Sequence, residues 1–505
     1  MTALAYDVII IGGGIVGLGI ARDLSLRGAS VLLVEKNDFA NGATGRSHAL
    51  LHSGARYVVK DPKSAYECAR ENEIIKKIAS HIVDDVGGLF VSLGDDPDDY
   101  ADDFEKGCKE IGIKYERLER NEIFRIEPNL DKSLKFGYWV NDGHVDPFKL
   151  SLLNFLDAKN AGADFLTYHE VIDFIRNRNE VIGVIAYDKI RKRKVELKGD
   201  VVILSAGVWN KYLLEKLDIR INMTPNRGTI LVYSRSIFKH VINRLRLPSD
   251  GDIVVPSHNT SLFGTTSVNV DDPEAITPSR SEIEKLYLEA IKLSPLFKKL
   301  RIVRAYAGLR PLIGTGKGRE ISRTFQIIDH EKRDNLIGLL SISGGKMTTY
   351  RLMAEKISDI IADKLGLSKS CRTDKYPLPG YYDKRKLEKI LNKYKRHASI
   401  VKFTYNRWGS LTEKILGKNK QPKIVCICEN VTEEEIIFAI KETNAVTISD
   451  IMRRTRATMG PCQGQNCVMK VASILGKNVE NYQSYFLNDI KNHLIKRWSC
   501  LLYTS

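Results

Sequence analysis

Apolar and polar positions follow two rhythms along this chain, and their alternation predicts an α/β architecture. Residues 6–11 are a short, β-branched apolar run bounded by three glycines, which predicts a buried strand. Apolar side chains then recur at helical spacing over 15–27, and a second apolar run over 30–34 stops at Glu35. The chain therefore opens with a strand, a helix and a strand. Residues 63–81 and 146–159 read as helices, while 164–166, 171–176 and 181–187 read as strands, the last two joined by the polar stretch 177–180. Residues 90–130 are mixed, acidic and expected to be more exposed. The strand 200–205 runs into the small-residue turn Ala206-Gly207, and further strands are predicted over 229–233, 252–256 and 261–265. Ser279 caps a helix over 279–292, a strand follows at 336–341, and Gly344-Gly345 opens a helix over 348–365. Pro377, Pro379 and Gly380 break the pattern and mark a domain boundary. A lysine-rich helical spacer leads to a cysteine-bearing module over 424–475 and a short tail. No internal repeat is present.

Length and composition narrow the class. A chain of 505 residues exceeds what one hydrophobic core usually serves, so two or more domains are expected. No apolar stretch approaches the roughly 18 residues of a membrane-spanning helix, and the run at 8–11 is too short for a signal segment, so the expected location is cytoplasmic. Lys and Arg number 78 against 62 Asp and Glu, a formal charge of +16 that favours anionic partners. The basic residues are interspersed with acids along most of the chain, so an anionic substrate or acidic lipid is expected and nucleic acid is not.

Gly12, Gly14 and Gly17 form G-x-G-x-x-G between the first strand and helix. The first glycine allows the tight turn, the second lets the backbone approach a pyrophosphate, and the third lets helix and strand pack closely. Glu35 ends the next strand, where a carboxylate accepts ribose hydroxyls and repels a 2′-phosphate, which argues against NADP. Two later stretches favour a flavin. Residues 41–57 (NGATGRSHALLHSGARY) carry small residues, including Thr44 and Ser47, that let the chain lie against a cofactor, with His52, Arg56 and Tyr57 beyond them. Residues 308–311 and 343–349 read as glycine-rich turns, and the second opens a helix whose N–H groups favour negative charge at a flavin.

Taken in order, GGGIVGLGIARD, GATGRSHALLHSGARY, VDPF, RGTILV, HVINRLRLPSD, GTTS, RAYAGLRPLIG and SGGKMTTYRLMAE resemble the large subunits of anaerobic glycerol-3-phosphate dehydrogenases, within the D-amino-acid-oxidase-like flavoproteins. The resemblance implies a Rossmann-like FAD-binding domain over 1–90, 145–215 and 305–370, interleaved with an α+β substrate cap over 91–144 and 216–304. A helical linker over 371–423, a [2Fe–2S]-binding domain over 424–475 and a tail over 476–505 complete the expected organisation. The implied reaction is oxidation of sn-glycerol 3-phosphate at C2 to dihydroxyacetone phosphate, by hydride transfer to flavin N5. The electrons would then pass through partner subunits to quinone, with the chain held peripherally on the cytoplasmic face of a membrane; self-association is left open.

Carried over by position, Gly12, Gly14, Gly17 and Glu35 match the family's adenosine and pyrophosphate contacts, and Thr44 and Ser47 its flavin-side loop. Ala206 and Gly207 match the strand end near the cofactor, and Gly345, Lys346, Met347 and Thr348 the turn at the flavin. His52, Arg56, Tyr57, Arg310 and Lys346 match positions around substrate. The aerobic branch has a histidine after a Lys-Gly-Ser run in the cap, where this chain has Arg227-Gly228-Thr229 and then Ile230. His52 is therefore the leading candidate for the base, Arg310 for steadying the oxyanion, Lys346 and Arg56 for drawing the phosphate, and Tyr57 for donating to a substrate oxygen. Two other readings fit: a related dehydrogenase or oxidase of amino or 2-hydroxy acids, and a non-catalytic electron-transfer subunit.

Four of the eight cysteines cluster late, as Cys426-x-Cys428 and Cys462-x4-Cys467. Their spacing fits poorly with zinc knuckles, whereas four thiolates suit a [2Fe–2S] cluster. Zinc and inert buried thiols are the alternatives. The arrangement resembles the bacterioferritin-associated-ferredoxin-like domain that ends the same family's large subunit.

Overall fold

The computed structural model describes residues 5–314, 318–381, 383–417 and 421–498, so the end of the expected tail lies outside the described residues. β1 (Ala5–Ile11), α1 (Ile15–Arg27) and β2 (Val31–Val34) form the opening unit, with β1 and β2 parallel. The chain returns to this sheet through α2 (Pro147–Asn160) and β3 (Arg193–Leu204). It then leaves for a second sheet, to which β4 (Met223–Tyr233) and β5 (Ile302–Ile313) belong. It comes back with β6 (Leu339–Gly344) and α3 (Tyr350–Leu365).

The first sheet is buried on both faces, which is why its strands read as continuous apolar runs. Val8, Ile10 and Leu33 pack with side chains of α1, α2 and α3, while Ile9, Ile11, Leu32 and Val34 pack with Val184, Leu214 and their neighbours. The end of β3 lies between β1 and β6, both parallel to it. Its first half pairs antiparallel with the strand Glu180–Asp188. The ends of β1, β3 and β6 thus converge on one edge, the crevice where ligands bind in parallel α/β sheets.

The second sheet has nine strands. β5 pairs antiparallel with β4 along almost its whole length, with Gly228 opposite Gly308 and Asn226 opposite Arg310. This changes two expectations. Residues 308–311 are strand and not a turn, and the boundary expected at 304/305 falls after Ile313, because β5 belongs to the cap sheet. Gly308 and Pro311 suggest a turn when read alone; here Gly308 is required because a Cβ would lie 2.8 Å from the Cβ of Arg46. Residues 90–130 are also more ordered than expected: Gly88–Ser92 is a fully buried strand of this sheet, followed by helices Tyr100–Ile111 and Arg120–Ile126.

Helix starts follow their capping residues. Asp146 accepts from the amides of Phe148 and Lys149 ahead of Pro147, and Ser279 and Thr432 each form a capping box. Beyond the spacer helices Lys384–Lys393 and Ala398–Trp408 lies the cysteine module, with helices α4 (Glu433–Thr443), α5 (Ile448–Thr455), α6 (Val468–Asn478) and α7 (Phe486–Trp498). Its own core includes Cys426, Ile436, Ile451, Val471 and Leu475. Trp408 is fully buried, donates to Glu435 at 2.9 Å and lies 3.3 Å under the Lys149 ammonium, joining spacer, module and α2. Among the described residues no helix is long and apolar enough to cross a membrane.

Candidate active site and cysteine centre

The turn after β1 is built from close approaches. Gly12 has φ +110°, and a Cβ on it would stand 2.8 Å from the backbone of Ala206; a Cβ on Gly17 would stand 2.0 Å from the carbonyl oxygen of Gly12. Gly14 begins α1 with no side-chain cap, and Thr44 accepts the Ile15 amide at 3.1 Å. Amides at this helix start favour negative charge. Glu35 accepts the amides of Gly13 at 2.7 Å and Asn37 at 2.8 Å, so its carboxylate is fixed at the end of β2 with acceptor capacity to spare.

From this turn a cavity of about 780 Å³ runs beneath residues 41–48, past the ends of β3 and β6, to a cluster of charged side chains in the cap. Gly207 opens into it with φ +61° and no atom within 4 Å of a would-be Cβ. Asn210 ties the strand ends together, donating to the carbonyls of Leu204 and Ile342 and to the Ser343 hydroxyl. At the start of α3, Gly344 and Gly345 both have positive φ, and a Cβ on Gly345 would strike Met353 Sδ at 2.3 Å. The Met347 sulfur lies 3.8 Å from the Ser47 hydroxyl on the opposite wall.

At the far end, the backbone amide of His52 donates to Thr348 Oγ1 at 3.2 Å, and its Nε2 is 3.4 Å from the Tyr57 hydroxyl. Burial, reinforced by His48, Lys346 and Arg56, holds His52 well below the usual imidazole range, so the ring is neutral. Burial likewise pushes Tyr57 up to about 12, so its hydroxyl keeps its proton and acts as donor. Lys346 lies 4.4 Å over the Tyr57 ring and donates to the Arg323 carbonyl at 2.9 Å; burial lowers its pKa. Arg310 donates to Asn226 Oδ1 at 2.8 Å, the Thr266 carbonyl at 3.1 Å and the Thr265 hydroxyl. These partners of Arg310 and Lys346 are all neutral acceptors. Arg56, by contrast, is paired with buried Asp252 at 2.8 Å, which leaves its Nη1 without a partner.

Gly12, Gly14, Glu35, Thr44, Ser47, His52, Arg56, Tyr57, Ala206, Gly207, Arg310, Gly345, Lys346, Met347 and Thr348 all line this cavity. Gly17 does not; it serves the packing of α1 on the turn. Ile230, at the position where the aerobic branch has histidine, is fully buried among Leu50, Val241 and Val255. Sequence reasoning missed His48, Arg319 and Arg323. His48 is half-buried, with a buried and unpartnered Nδ1, and burial together with Arg310, Arg56 and Arg319 lowers it to about 3. Arg319 pairs with Asp250 at 2.6 Å. The positions 318–323 gave no periodic signal, and only their two arginines beside a glycine hinted at an anion.

The residues fit FAD. The glycine turn and uncapped helix suit the pyrophosphate, Glu35 suits the ribose, and the orphaned His48 Nδ1 and Arg56 Nη1 are buried polar atoms that call for a bound partner. The cysteines also converge. Cys426 Sγ is 3.8 Å from Cys428 Sγ, which is 3.6 Å from Cys462 Sγ, and a Cβ on Gly460 would lie 2.7 Å from Cys428 Sγ. Thr458, Gln463 and Gly464 around them all have positive φ. Among the described residues no three or more His, Cys, Asp or Glu side chains are grouped to hold one metal ion. A two-iron cluster takes four thiolates as two pairs, which is the donor set these sulfurs offer.

A glycine-turn dinucleotide domain, a cap that closes charged groups over it and a ferredoxin-like module together define a flavin-dependent oxidoreductase. Comparison with known proteins agrees. The family described as FAD dependent oxidoreductase matches residues 7–360, and a BFD-like [2Fe-2S] binding domain matches 424–477. The A subunit of the anaerobic glycerol-3-phosphate dehydrogenase of Escherichia coli strain K12 is 41% identical over 502 residues, covering 97% of this chain and 92% of its own length. The A1 subunit of the corresponding Haloferax volcanii enzyme is 38% identical, covering 93% of this chain and 82% of its own. The glycerol-3-phosphate dehydrogenase structure from Bacillus halodurans, solved with FAD, shares the fold with a TM-score of 0.75 at 24% identity, covering 98% and 95% of the two chains. The chain belongs to the family of anaerobic glycerol-3-phosphate dehydrogenase A subunits, whose cofactors are FAD and a [2Fe–2S] cluster.

Proposed function

We propose that the chain oxidises sn-glycerol 3-phosphate at C2 to dihydroxyacetone phosphate and passes the electrons through its cysteine module to partner subunits and on to quinone. The observation that carries this reading is that Arg310 and Lys346 line one pocket, beside a neutral imidazole, where their hydrogen-bond acceptors among the described residues are neutral. A phosphate dianion supplies the missing negative charge, and the planar guanidinium of Arg310 matches its oxygens better than an ammonium does. FAD, held at the glycine turn, Glu35 and Thr44, would supply the acceptor for the C2 hydride. The protein's part is to hold the substrate and remove the hydroxyl proton. The neutral His52 ring has one nitrogen lone pair to take the proton, and the Tyr57 hydroxyl, which keeps its own proton and stands 3.4 Å from Nε2, donates to a substrate oxygen. Arg310 and Lys346 fix the phosphate so that the C2 hydroxyl points at the imidazole.

The test is anaerobic bleaching of the bound flavin. Glycerol 3-phosphate is expected to bleach it, while proline, sarcosine and 2-hydroxyglutarate leave it oxidised. Bleaching by one of the carboxylates instead assigns the cations to a carboxylate substrate. A flavin that no small substrate reduces overturns catalysis altogether.

A further inference from the structure

Around its cysteines the module exposes large apolar side chains where a folded chain has no use for them. Ile427, between two of the ligand cysteines, is 66% exposed; Met469, two residues after Cys467, is 58% exposed; Ile424, two residues before Cys426, is 37% exposed. Cys428 and Cys462 are themselves only half-buried, whereas Cys426 and Cys467 are buried, so one edge of the sulfur cluster lies just beneath this surface. Elsewhere the module is committed, with Arg453 and Arg454 locked onto buried Asp38 of the flavin domain.

The surrounding charge is mostly cationic. The Lys423 side chain is 76% exposed and stands 3.9 Å from Glu433, Lys470 is exposed, and the exposed Arg301 donates to the Pro461 carbonyl beside Cys462 at 3.4 Å. The nearest acid in sequence, Glu429, is turned inward to Arg456 at 2.9 Å and contributes little to the surface. An apolar centre with a cationic rim over a redox centre is what a transient electron-transfer interface requires: the apolar contact excludes water, and the rim steers and orients an oppositely charged partner.

We infer that Ile427, Met469 and Ile424 form the docking surface for a redox protein that presents an apolar patch ringed by carboxylates and carries a one-electron acceptor behind it. The inference rests on the proposed oxidation of glycerol 3-phosphate. Each substrate oxidised releases two electrons and two protons. The protons go to solvent, and the electrons cross this surface singly, reducing two equivalents of the partner's carrier.

The test uses the full chain loaded with FAD and cluster, reduced by glycerol 3-phosphate, with a soluble acidic b-type cytochrome as the electron acceptor. A basic c-type cytochrome and a small dye serve as contrasts. The acidic cytochrome is expected to be reduced faster than the basic one, at a rate that falls as salt is added. Ile427→Glu is expected to slow its reduction about tenfold or more, as loss of a central interface anchor does, with dye reduction unchanged. The double variant Met469→Glu/Lys470→Glu, outside the ligand loop, keeps the test sound if Ile427→Glu fails to assemble its cluster; the cluster's visible absorbance reports that. Equal rates in wild type and variants, a faster basic cytochrome or a salt-independent rate overturns the inference. So does binding to phosphatidylglycerol vesicles that the same variants abolish while cytochrome reduction persists, which makes the patch a membrane contact. Should glycerol 3-phosphate fail to reduce the flavin, the enzyme reduced with dithionite and freed of excess reads the same surface, so failure of the substrate reading and failure of the docking surface are told apart.

Discussion

Arg453 donates through Nε to Asp38 at 2.6 Å, joining the cysteine module to the flavin domain only three residues beyond Glu35. Arg454 closes on the other oxygen of the same carboxylate, and the Tyr168 hydroxyl donates to Asp450 at 2.7 Å alongside. Burial alone would raise Asp38; the charges of Arg454 and Arg453 outweigh it and bring it down to about 2. Removing this carboxylate strands two buried guanidinium groups, which costs on the order of 3–5 kcal/mol. Asp38→Asn is therefore expected to lower the urea midpoint substantially and to expose the module to protease before the flavin domain unfolds. A midpoint within error of wild type would show that the seam does not depend on this ion group. Because the folded pKa is depressed, the contribution of Asp38 is present above the unfolded carboxylate pKa near 3.9 and is lost as pH falls through that range toward 2.

The neutrality of His52 fixes the shape of the pH profile. Its pKa is lowered well below 6.5 by burial and by His48, Lys346 and Arg56. The ring is thus already in its basic form through the ordinary imidazole range, and the rate of flavin reduction at saturating glycerol 3-phosphate should stay level down through pH ~6.5. His52→Gln is expected to lower that rate by about 10²- to 10⁴-fold. A rate in the variant that matches wild type across neutral pH removes His52 from the base role.

Much of this organisation is legible in the residue pattern because it is local. The opening strand, helix and strand announce themselves through buried apolar runs, the glycines at 12, 14 and 17 through turn geometry, and the helix starts at Asp146, Ser279 and Thr432 through capping. The four late cysteines are legible as a set because their two paired spacings are local. What escapes is tertiary. Arg310 looks like a turn residue between Gly308 and Pro311, because nothing near it reveals that β4 will pair with this segment along its length. Asp38 and Arg453 are 415 positions apart, and their meeting depends on how two separately folded units dock. His48 and Arg323 carry no periodic signal, and their places among the cations of the pocket are a property of the closed cap alone.

The cysteine centre and the substrate pocket should fail separately. Cys428 and Cys462 approach to 3.6 Å in a module with its own core, and neither lines the cavity beside the glycine turn. Cys428→Ser or Cys462→Ser is expected to yield protein with a full complement of FAD, little iron or labile sulfide, and flavin still bleached by glycerol 3-phosphate. Metal and flavin analysis of the same preparation checks this. Loss of FAD together with iron would mean that the module is needed to build the flavin site.

Gly228 offers a way to move the Arg310 side chain without replacing it. The two lie on facing strands, and a Cβ on Gly228 would stand 2.3 Å from Arg310 Nη2 and 2.6 Å from Cζ, well inside any allowed contact. The guanidinium is already held by Asn226, Thr265 and Thr266, so it has no slack on that side, and Gly228→Ala must push it toward the cavity or out of its hydrogen bonds. Misplacing one charge-assisted contact to the phosphate costs about 1.5–3 kcal/mol, or roughly 10- to 150-fold in kcat/KM. The expected result is that Gly228→Ala and Arg310→Lys both lose this much with glycerol 3-phosphate and far less with glycerol, which has no phosphate to hold. Lys346→Met should show the same selectivity, because its ammonium also meets only a neutral acceptor. Equal losses on the two substrates would place Arg310 with the flavin or the fold and not with the phosphate. Retention of full activity in Gly228→Ala would mean that the strand pair opens easily, and the rigidity argued for β4 and β5 would be lost with it.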